Sequence, residues 1–453
     1  MLSLKRAIPD NGAAHRASTK ALAAATAVLT IPLLVTVGAG TGVSAAATVN
    51  ASSSCAVHLT AWAWVPGISR AAALFTKTHP GICVTLDNVG AGDAEYVKLA
   101  DAFTAGTGAP DVAEVEYAEL PSFEVTHDLV NLAAYGADQY KNDFAPFAWQ
   151  ETSLGSAHYS MPLDSGPMAF YYNSALFNKY HLAVPTTYAQ MATEAATFKK
   201  DDPSAYFTSI DPTDIQTVLG LMMQDNAFPF GYNGGSKVTI NFTGANEMAF
   251  ASYWQKLIAA HEVNNPSGNT AFVDRDKGLD AAWFAPAWGP SYFAPDVKAT
   301  MGDWRSAPLP QWTAGANVQA VAACSTFPVF TQSKYPKQAA EFVEWLTTTP
   351  ASWKILVTPP SSLFPANLPE ANSSTFKDFT YAPSGSSHVN VPFSAAEEGI
   401  HAVQWPPFLT AALTGVTVFD GVDNGTETLA AGFEAYQKEL VTYAKSEGFT
   451  VTQ

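Results

Sequence analysis

Hydrophobic residues in this chain gather in short blocks separated by polar turns, and the spacing inside each block says which element it builds. The block Met168-Ala169-Phe170-Tyr171-Tyr172 is unbroken, with Gly166-Pro167 before it and Asn173-Ser174 after it. A run this short between turn residues predicts a strand covered on both faces. A short amphipathic helix over 175–180 follows, and Pro185-Thr186-Thr187 opens a longer one over 182–200. Upstream, residues 57–64 predict a strand, 68–76 a helix with Ala72, Leu74 and Phe75 inward, and 83–86 a second strand. In 93–105, Tyr96, Leu99, Ala100 and Phe103 recur at helical spacing. The turn Gly106-Thr107-Gly108-Ala109-Pro110-Asp111 then leads into Val112-Ala113-Glu114-Val115-Glu116-Tyr117.

Strands alternating with helices across short turns predict βαβ units, an α/β fold and mainly parallel sheets. Sites in such sheets lie at the carboxyl ends of the strands, which here carry Trp62, Trp64, Glu114, Glu116 and Tyr117. Further helices are expected over 245–260, 336–346 and 429–446; residues 279–293 run from an apolar segment into an aromatic loop. Three polar or Pro-rich kinks break the pattern: Asp164-Ser165-Gly166-Pro167, Ala307-Pro308-Leu309-Pro310, and residues 358–370. Each is expected to carry the chain between two lobes, with its polar groups facing the cleft.

The chain has 453 residues, enough for two domains, and at 47% hydrophobic and 14% charged it is globular in composition. Residues 1–47 differ. Lys5, Arg6, Arg16 and Lys20 precede an apolar run over 21–37, and Ala45-Ala46-Ala47 closes the segment. That order predicts a secretory signal peptide cleaved after Ala47, with an uncleaved anchor as the alternative. The segment holds four bases and one acid, so its removal takes the formal net charge from −17 to −20. So acidic a surface repels nucleic acid and anionic lipid, and phosphorylated ligands would need bases in the site.

Of three cysteines, Cys55 and Cys83 precede or open neighbouring strands, so a disulfide is geometrically open to them; two separate buried thiols are the alternative. Cys324 is left as a small core residue. A lipid on Cys55 is a weaker expectation, because Ser52-Ser53-Ser54 lacks the apolar residue that usually precedes such a cysteine.

The order of several pieces resembles the extracellular solute-binding proteins of carbohydrate ABC importers, of the maltose and multiple-sugar type. The pieces are Gly108-Ala109-Pro110-Asp111-Val112, residues 161–173 with Leu176-Phe177, Val184-Pro185-Thr186-Thr187, Pro286-Ala287-Trp288-Gly289-Pro290, Leu309-Pro310 and residues 333–346. The resemblance spans nearly all of the chain after residue 47. It implies a periplasmic-binding-protein-like fold: one lobe from 48–160 and 310–356, the other from 165–306 and 364–453, with hinge crossings near 161–165, 306–310 and 357–363. A mono- or oligosaccharide would be trapped by hinge closure and passed to membrane permease subunits, outside the cytoplasm, by a monomer without cofactor or catalysis.

In that family aromatic side chains of the second lobe stack on sugar rings; Trp288, beside Gly289, matches that place and Trp405 matches it more loosely. Glu116, Tyr117 and Trp64 match the first lobe's contacts, and Asp164 and Ser165 lie on the first crossing. Physically, an indole face suits the C–H face of a sugar, and carboxylates accept its hydroxyls. Cys324 departs from the family, where a small apolar residue is usual.

Two other readings compete. An acid- and aromatic-rich cleft also suits a polyamine or quaternary amine. Glu114 and Glu116, two apart on one expected strand, would face the same side about 7 Å apart, which overlaps the spacing of an inverting glycoside hydrolase. A pair on one strand cannot flank a scissile bond from opposite faces, however. No Gly-x-Ser-x-Gly elbow, His-Glu-x-x-His motif or phosphate loop occurs.

Overall fold

The computed structural model describes residues 55–453 apart from 266–269, 290–295, 323 and 378–398, and apart from the side chains at 413–415. The signal segment 1–47 and the end of the aromatic loop, 290–293, therefore lie outside the described residues. The described strands are, in chain order, β1 (Val57–Trp62), β2 (Ile82–Asp87), β3 (Val112–Ala113), β4 (Val115–Glu116), β5 (Ser153–Leu154), β6 (Ala157–His158), β7 (Ser160–Pro162) and β8 (Met168–Asn173). They continue with β9 (Thr208–Ser209), β10 (Phe230–Tyr232), β11 (Lys237–Ile240), β12 (Val263–Asn264), β13 (Ala282–Pro286), β14 (Trp304–Ala307), β15 (Ser325–Pro328) and β16 (Thr450–Thr452).

β1 runs parallel to β2, with Val57 opposite Ile82, and parallel to β3 on its other side. The helix Ile68–Thr78 makes the crossover between β1 and β2, which places the two strand starts side by side. A disulfide joins Cys55 to Cys83 there, with Cα atoms 5.7 Å apart. In that form Cys55 has no thiol to carry a lipid.

The helix Asp93–Ala105 lays Tyr96 and Leu99 onto Ala113, Val115, Leu120, Phe123, Leu129 and Phe330, and Trp62, Trp64 and Phe103 pack against this core. Burying one such large apolar side chain contributes about 1.5–3 kcal/mol. The helix ends where Gly106 takes a left-handed conformation.

The expectation of one strand through Glu114 and Glu116 is corrected. The strand breaks at Glu114: β3 belongs to the β1 sheet, while β4 pairs antiparallel with β15, which also pairs with β7. Glu114 is buried at the break and Glu116 is half-buried beyond it, so the two carboxyls do not share one strand face. The paired-carboxylate arrangement considered for a hydrolase is absent at these residues.

β8 is buried on both faces as the apolar block requires, but its partners β13 and β14 both run antiparallel to it. An unbroken apolar run reports burial, not strand direction. Asn173 ends β8 and caps the helix Ser174–Lys179, its side chain accepting from the Ala175 and Leu176 amides. The helix expected from 182 begins at Tyr188, because Thr187 is extended and caps it, its side chain accepting from the Gln190 amide.

Residues 309–319 keep partners in the stretch that follows β8, between residues 186 and 224. Gln311 exchanges backbone hydrogen bonds with Thr186 and Tyr188, and the Gln224 amide donates to the carbonyls of Pro310 and Val318. Partners change at 320–326, where Met168 donates to Ala320, Ala322 to Gly166, and Leu163 to Ser325. This segment passes so close to the helix Ile215–Met223 that a Cβ on Gly220 would lie 2.7 Å from the Val321 carbonyl oxygen. Residues 363–367 run beside it: Ser165 donates to Phe364, and Ala366 to Leu163. Among the described residues no helix is long and apolar enough to cross a membrane.

Candidate functional site

Glu114 is held where β1 and β3 end. One oxygen accepts from the backbone N–H groups of Trp64 and Val65, at 3.0 and 3.1 Å, and the other from the Ser325 hydroxyl at 3.0 Å. Burial pushes its carboxyl up to about 8 despite these donors, and the neighbouring Asp164 charge adds to the shift. Asp164 is buried too, accepting from the Ser325 amide at 2.6 Å, and burial raises it to about 7. The Tyr117 hydroxyl donates to the Asp164 carbonyl at 2.9 Å. Glu114, Tyr117, Asp164 and Ser325 thus form one network that ties the first strand ends to the 161–165 segment. Ser165 is fully buried, its amide bonded to Phe364 and its hydroxyl without a protein partner.

Glu116 points elsewhere. Its carboxyl accepts from the Tyr96 hydroxyl at 3.1 Å, while the same hydroxyl oxygen accepts the Glu116 amide at 3.0 Å. Gln216, on the helix Ile215–Met223, also reaches this carboxyl. Burial raises Glu116 above the ordinary carboxyl range. Trp64 stands half-buried, edge-on to the Tyr96 ring at 6.2 Å between centroids. The structure therefore brings Trp64, Glu116 and the second sequence region around Gln216 together.

Trp288 follows β13 and is half-buried; its indole N–H donates to the Ala322 carbonyl at 3.1 Å. It lines a cavity of about 370 Å³ with Trp283, Phe272, Asp211, Asp214, Thr217 and Arg275 among the other walls. Asp214 caps the helix Ile215–Met223 by accepting from the Thr217 amide. The buried Arg275 guanidinium lies 4.9 Å from the Trp283 ring centre and 5.4 Å from that of Phe272, and it donates to the Ser209 hydroxyl. Gly289 lets the Trp283 ring pass: a Cβ there would meet it at 3.0 Å.

Trp405 is mostly buried, its indole N–H donating to Glu151 at 2.7 Å. It lines a second cavity of about 300 Å³, whose other walls include Glu124, Gln150, Tyr232 and Asn233.

Sequence reasoning singled out Trp288 and Trp405 but missed Asp214, Arg275, Gln216 and Glu151. Asp214 was legible as a capping residue before an apolar helix. For Arg275 the only signal was a base amid the aromatics Phe272 and Trp283, and nothing local marked Gln216 or Glu151. Among the described residues no group of three or more His, Cys, Asp or Glu side chains is placed to hold a metal ion.

Residues 62–352, more than half the chain, match the family of bacterial extracellular solute-binding proteins. The chain belongs to that family. Its members' extracellular setting suits the acidic surface. A comparison with curated proteins finds no match. Among solved structures, the ABC transporter associated binding protein from B. animalis subsp. lactis Bl-04, in complex with β-1,6-galactobiose, is 27% identical. It covers 87% of this chain and 99% of its own, with a TM-score of 0.74. The galacto-N-biose-/lacto-N-biose I-binding protein from Bifidobacterium longum is 24% identical over 87% and 98%, with a TM-score of 0.73. The sugar-binding protein MalE from Xanthomonas citri is 18% identical over 86% and 98%, with a TM-score of 0.71. These likenesses show the two-lobed α/β fold of periplasmic-binding-protein type.

Proposed function

We propose that this protein is the substrate-binding receptor of an ABC importer, taking a mono- or oligosaccharide between two lobes and delivering it to a membrane permease as a monomer. The observation that carries this reading is one cavity on the second-lobe side in which Trp288, Trp283 and Phe272 share the lining with the hydrogen-bonding side chains Asp211, Asp214 and Thr217. Flat indoles suit sugar C–H faces, and the polar edge suits hydroxyls. The 27% identical relative, described in complex with β-1,6-galactobiose, supports a carbohydrate of that size.

The reading assigns Trp288, Trp405, Glu116 and Trp64 to ligand contact. Tyr117, Asp164 and Gly289 support them from behind, since their polar atoms or space serve neighbouring protein groups, and Ser165 does so through its backbone amide alone. In this reading the lobes keep the boundaries that the resemblance implies, with the second crossing moved to 320–326, where backbone partners change. A cationic ligand is disfavoured because the buried base Arg275 lines the cavity and the Glu114 and Asp164 carboxyls already accept from protein donors. The protein does no chemistry on its cargo in this account.

Thermal-shift titration of residues 48–453 with β-1,6-galactobiose, lacto-N-biose and maltose, beside spermidine and betaine, tests it. A melting shift with a sugar, lost in Trp288→Ala, is expected; a shift with the amines alone would overturn the carbohydrate assignment.

A further inference from the structure

Glu151 ends the helix Pro146–Glu151, and both its carboxyl oxygens reach far along the chain. Oε1 accepts the Val403 amide at 2.9 Å and Oε2 accepts the Trp405 indole N–H at 2.7 Å. Two bonds from one rigid carboxyl, to a backbone atom and to the ring two residues on, define both where segment 403–405 sits and how the indole is turned. Glu119 repeats the device a few residues further, accepting the Thr410 amide at 3.1 Å. No base lines the Trp405 cavity. The Glu151 carboxyl is therefore held by N–H dipoles rather than by a counter-charge, and each of its oxygens accepts from this segment.

We propose that Glu151 is the positioning residue of Trp405, setting the indole orientation that the second cavity, the one lined by Trp405, presents. The proposal rests on the reading of Trp405 as a ligand contact, but the positioning itself is measured without ligand. Ionised Glu151 offers an acceptor to each N–H. Protonated Glu151 turns one oxygen into a donor that faces an N–H, so one of the two bonds must weaken. Burial raises Glu151 to about 7, so this change falls near neutral pH.

Other titratable groups surround it. Glu124 from the helix Leu120–Glu124 and Tyr232 from β10 line the same cavity. Glu119 lies on the preceding turn, and buried Cys324 feels the Glu151 charge. His158 of β6 stacks on Trp149 with ring centres 3.6 Å apart and is held neutral by burial, down to about 3. His401 is exposed, edge-on to Phe228. Glu124 is also raised to about 7 and is the competitor to exclude.

The test is NMR of protein labelled with 15N in the indole of its eleven tryptophans, with Trp405→Phe to assign one signal, titrated between about pH 5 and 9. The expected result is a Trp405 indole resonance that titrates with a midpoint near neutrality in the wild type and in Glu124→Gln, and stays flat in Glu151→Gln. In Glu151→Ala its indole hydrogen exchanges at least about tenfold faster, the loss of roughly one hydrogen bond. Glu151→Gln keeps the side-chain shape, so it remains informative if the alanine variant does not fold. A titration that survives in Glu151→Gln or disappears in Glu124→Gln, or an indole hydrogen that exchanges no faster in Glu151→Ala, would overturn the proposal. Failure of every sugar to bind would leave these resonances as they are, and would instead sink the carbohydrate reading.

Discussion

The two sides of the candidate cleft hold their polar groups by opposite means. Around β1, β3 and the 161–165 segment, carboxyls are buried without bases: Glu114 and Asp164 are satisfied by amide and hydroxyl donors, and burial raises both. Around β8, β13 and β9 the buried base Arg275 lies across two aromatic rings and 3.8 Å from Asp280, and aromatic side chains line much of the cavity. One side is a hydrogen-bonded lattice whose charge follows pH. The other is a stacked wall whose shape is fixed by packing. The difference teaches that acidic composition alone does not specify a cation site: on the first side the acids are structural fasteners before they are anything else.

The largest expected effect breaks the first side. Glu114→Ala removes the acceptor of two backbone N–H groups and one hydroxyl. At about 1–3 kcal/mol for each buried donor left unpaired, the loss is on the order of 3 kcal/mol or more. Chemical denaturation should show a lower midpoint with an unchanged slope. A variant within about 0.5 kcal/mol of wild type would mean the network is not holding the strand ends. On the second side, Trp288→Ala should weaken sugar binding by roughly thirtyfold, about 2 kcal/mol, measured by calorimetry. Its effect on stability should be smaller, since the residue is half-buried and its indole N–H donates to the Ala322 carbonyl. Equal effects on binding and stability would erase the contrast between fastener and contact.

Much of this contrast was legible beforehand, and the reasons for the rest are physical. The helices Asp93–Ala105 and Leu429–Ser446 fall where apolar spacing places them, because a long amphipathic stripe admits one period. The aromatic block at β8 announced burial but not its antiparallel partners, since both neighbours come from more than a hundred residues downstream. Glu114 and Glu116 looked equivalent in sequence. The break at Glu114, which buries one carboxyl and leaves the other half-exposed, depends on β15 arriving beside β4. Glu151 was invisible for the same reason: its partners lie about 250 residues away along the chain. Trp405 was visible as an aromatic among prolines, but the carboxyl that turns it was not.

A sharper comparison comes from the strip between the two sides. Gly220 takes an ordinary helical position, and its lack of a side chain matters only because the 320–322 segment crosses it. An added methyl would lie 2.7 Å from the Val321 carbonyl oxygen and 2.9 Å from the Met168 sulfur. The sulfur can swing away, but the carbonyl belongs to a backbone that pairs with Gly166 and Met168 through Ala322 and Ala320. Gly220→Ala should therefore cost about 1–2 kcal/mol despite alanine's better helix propensity. A more stable variant would show that the crossing yields freely.

The last comparison separates the two sides by chemistry rather than by cutting. Glu114 and Asp164 have ordinary carboxyl values in the unfolded chain, 4.5 and 3.8, and are raised to about 8 and about 7 when folded. A raised carboxyl binds its proton more tightly in the folded state. Its contribution is therefore fully present below the unfolded value and declines as pH rises toward the folded one, becoming constant above it. For this pair the decline runs from about pH 4 to about pH 8. The melting temperature should fall across that window, and Glu114→Gln, which cannot ionise, should flatten the part contributed by Glu114. On the aromatic side, Trp283→Phe keeps a ring beneath Arg275 and should leave the slope unchanged. If it alters the slope as much as Glu114→Gln does, the titrating group lies with Arg275 and Asp280, and the division between a pH-dependent lattice and a packed wall fails.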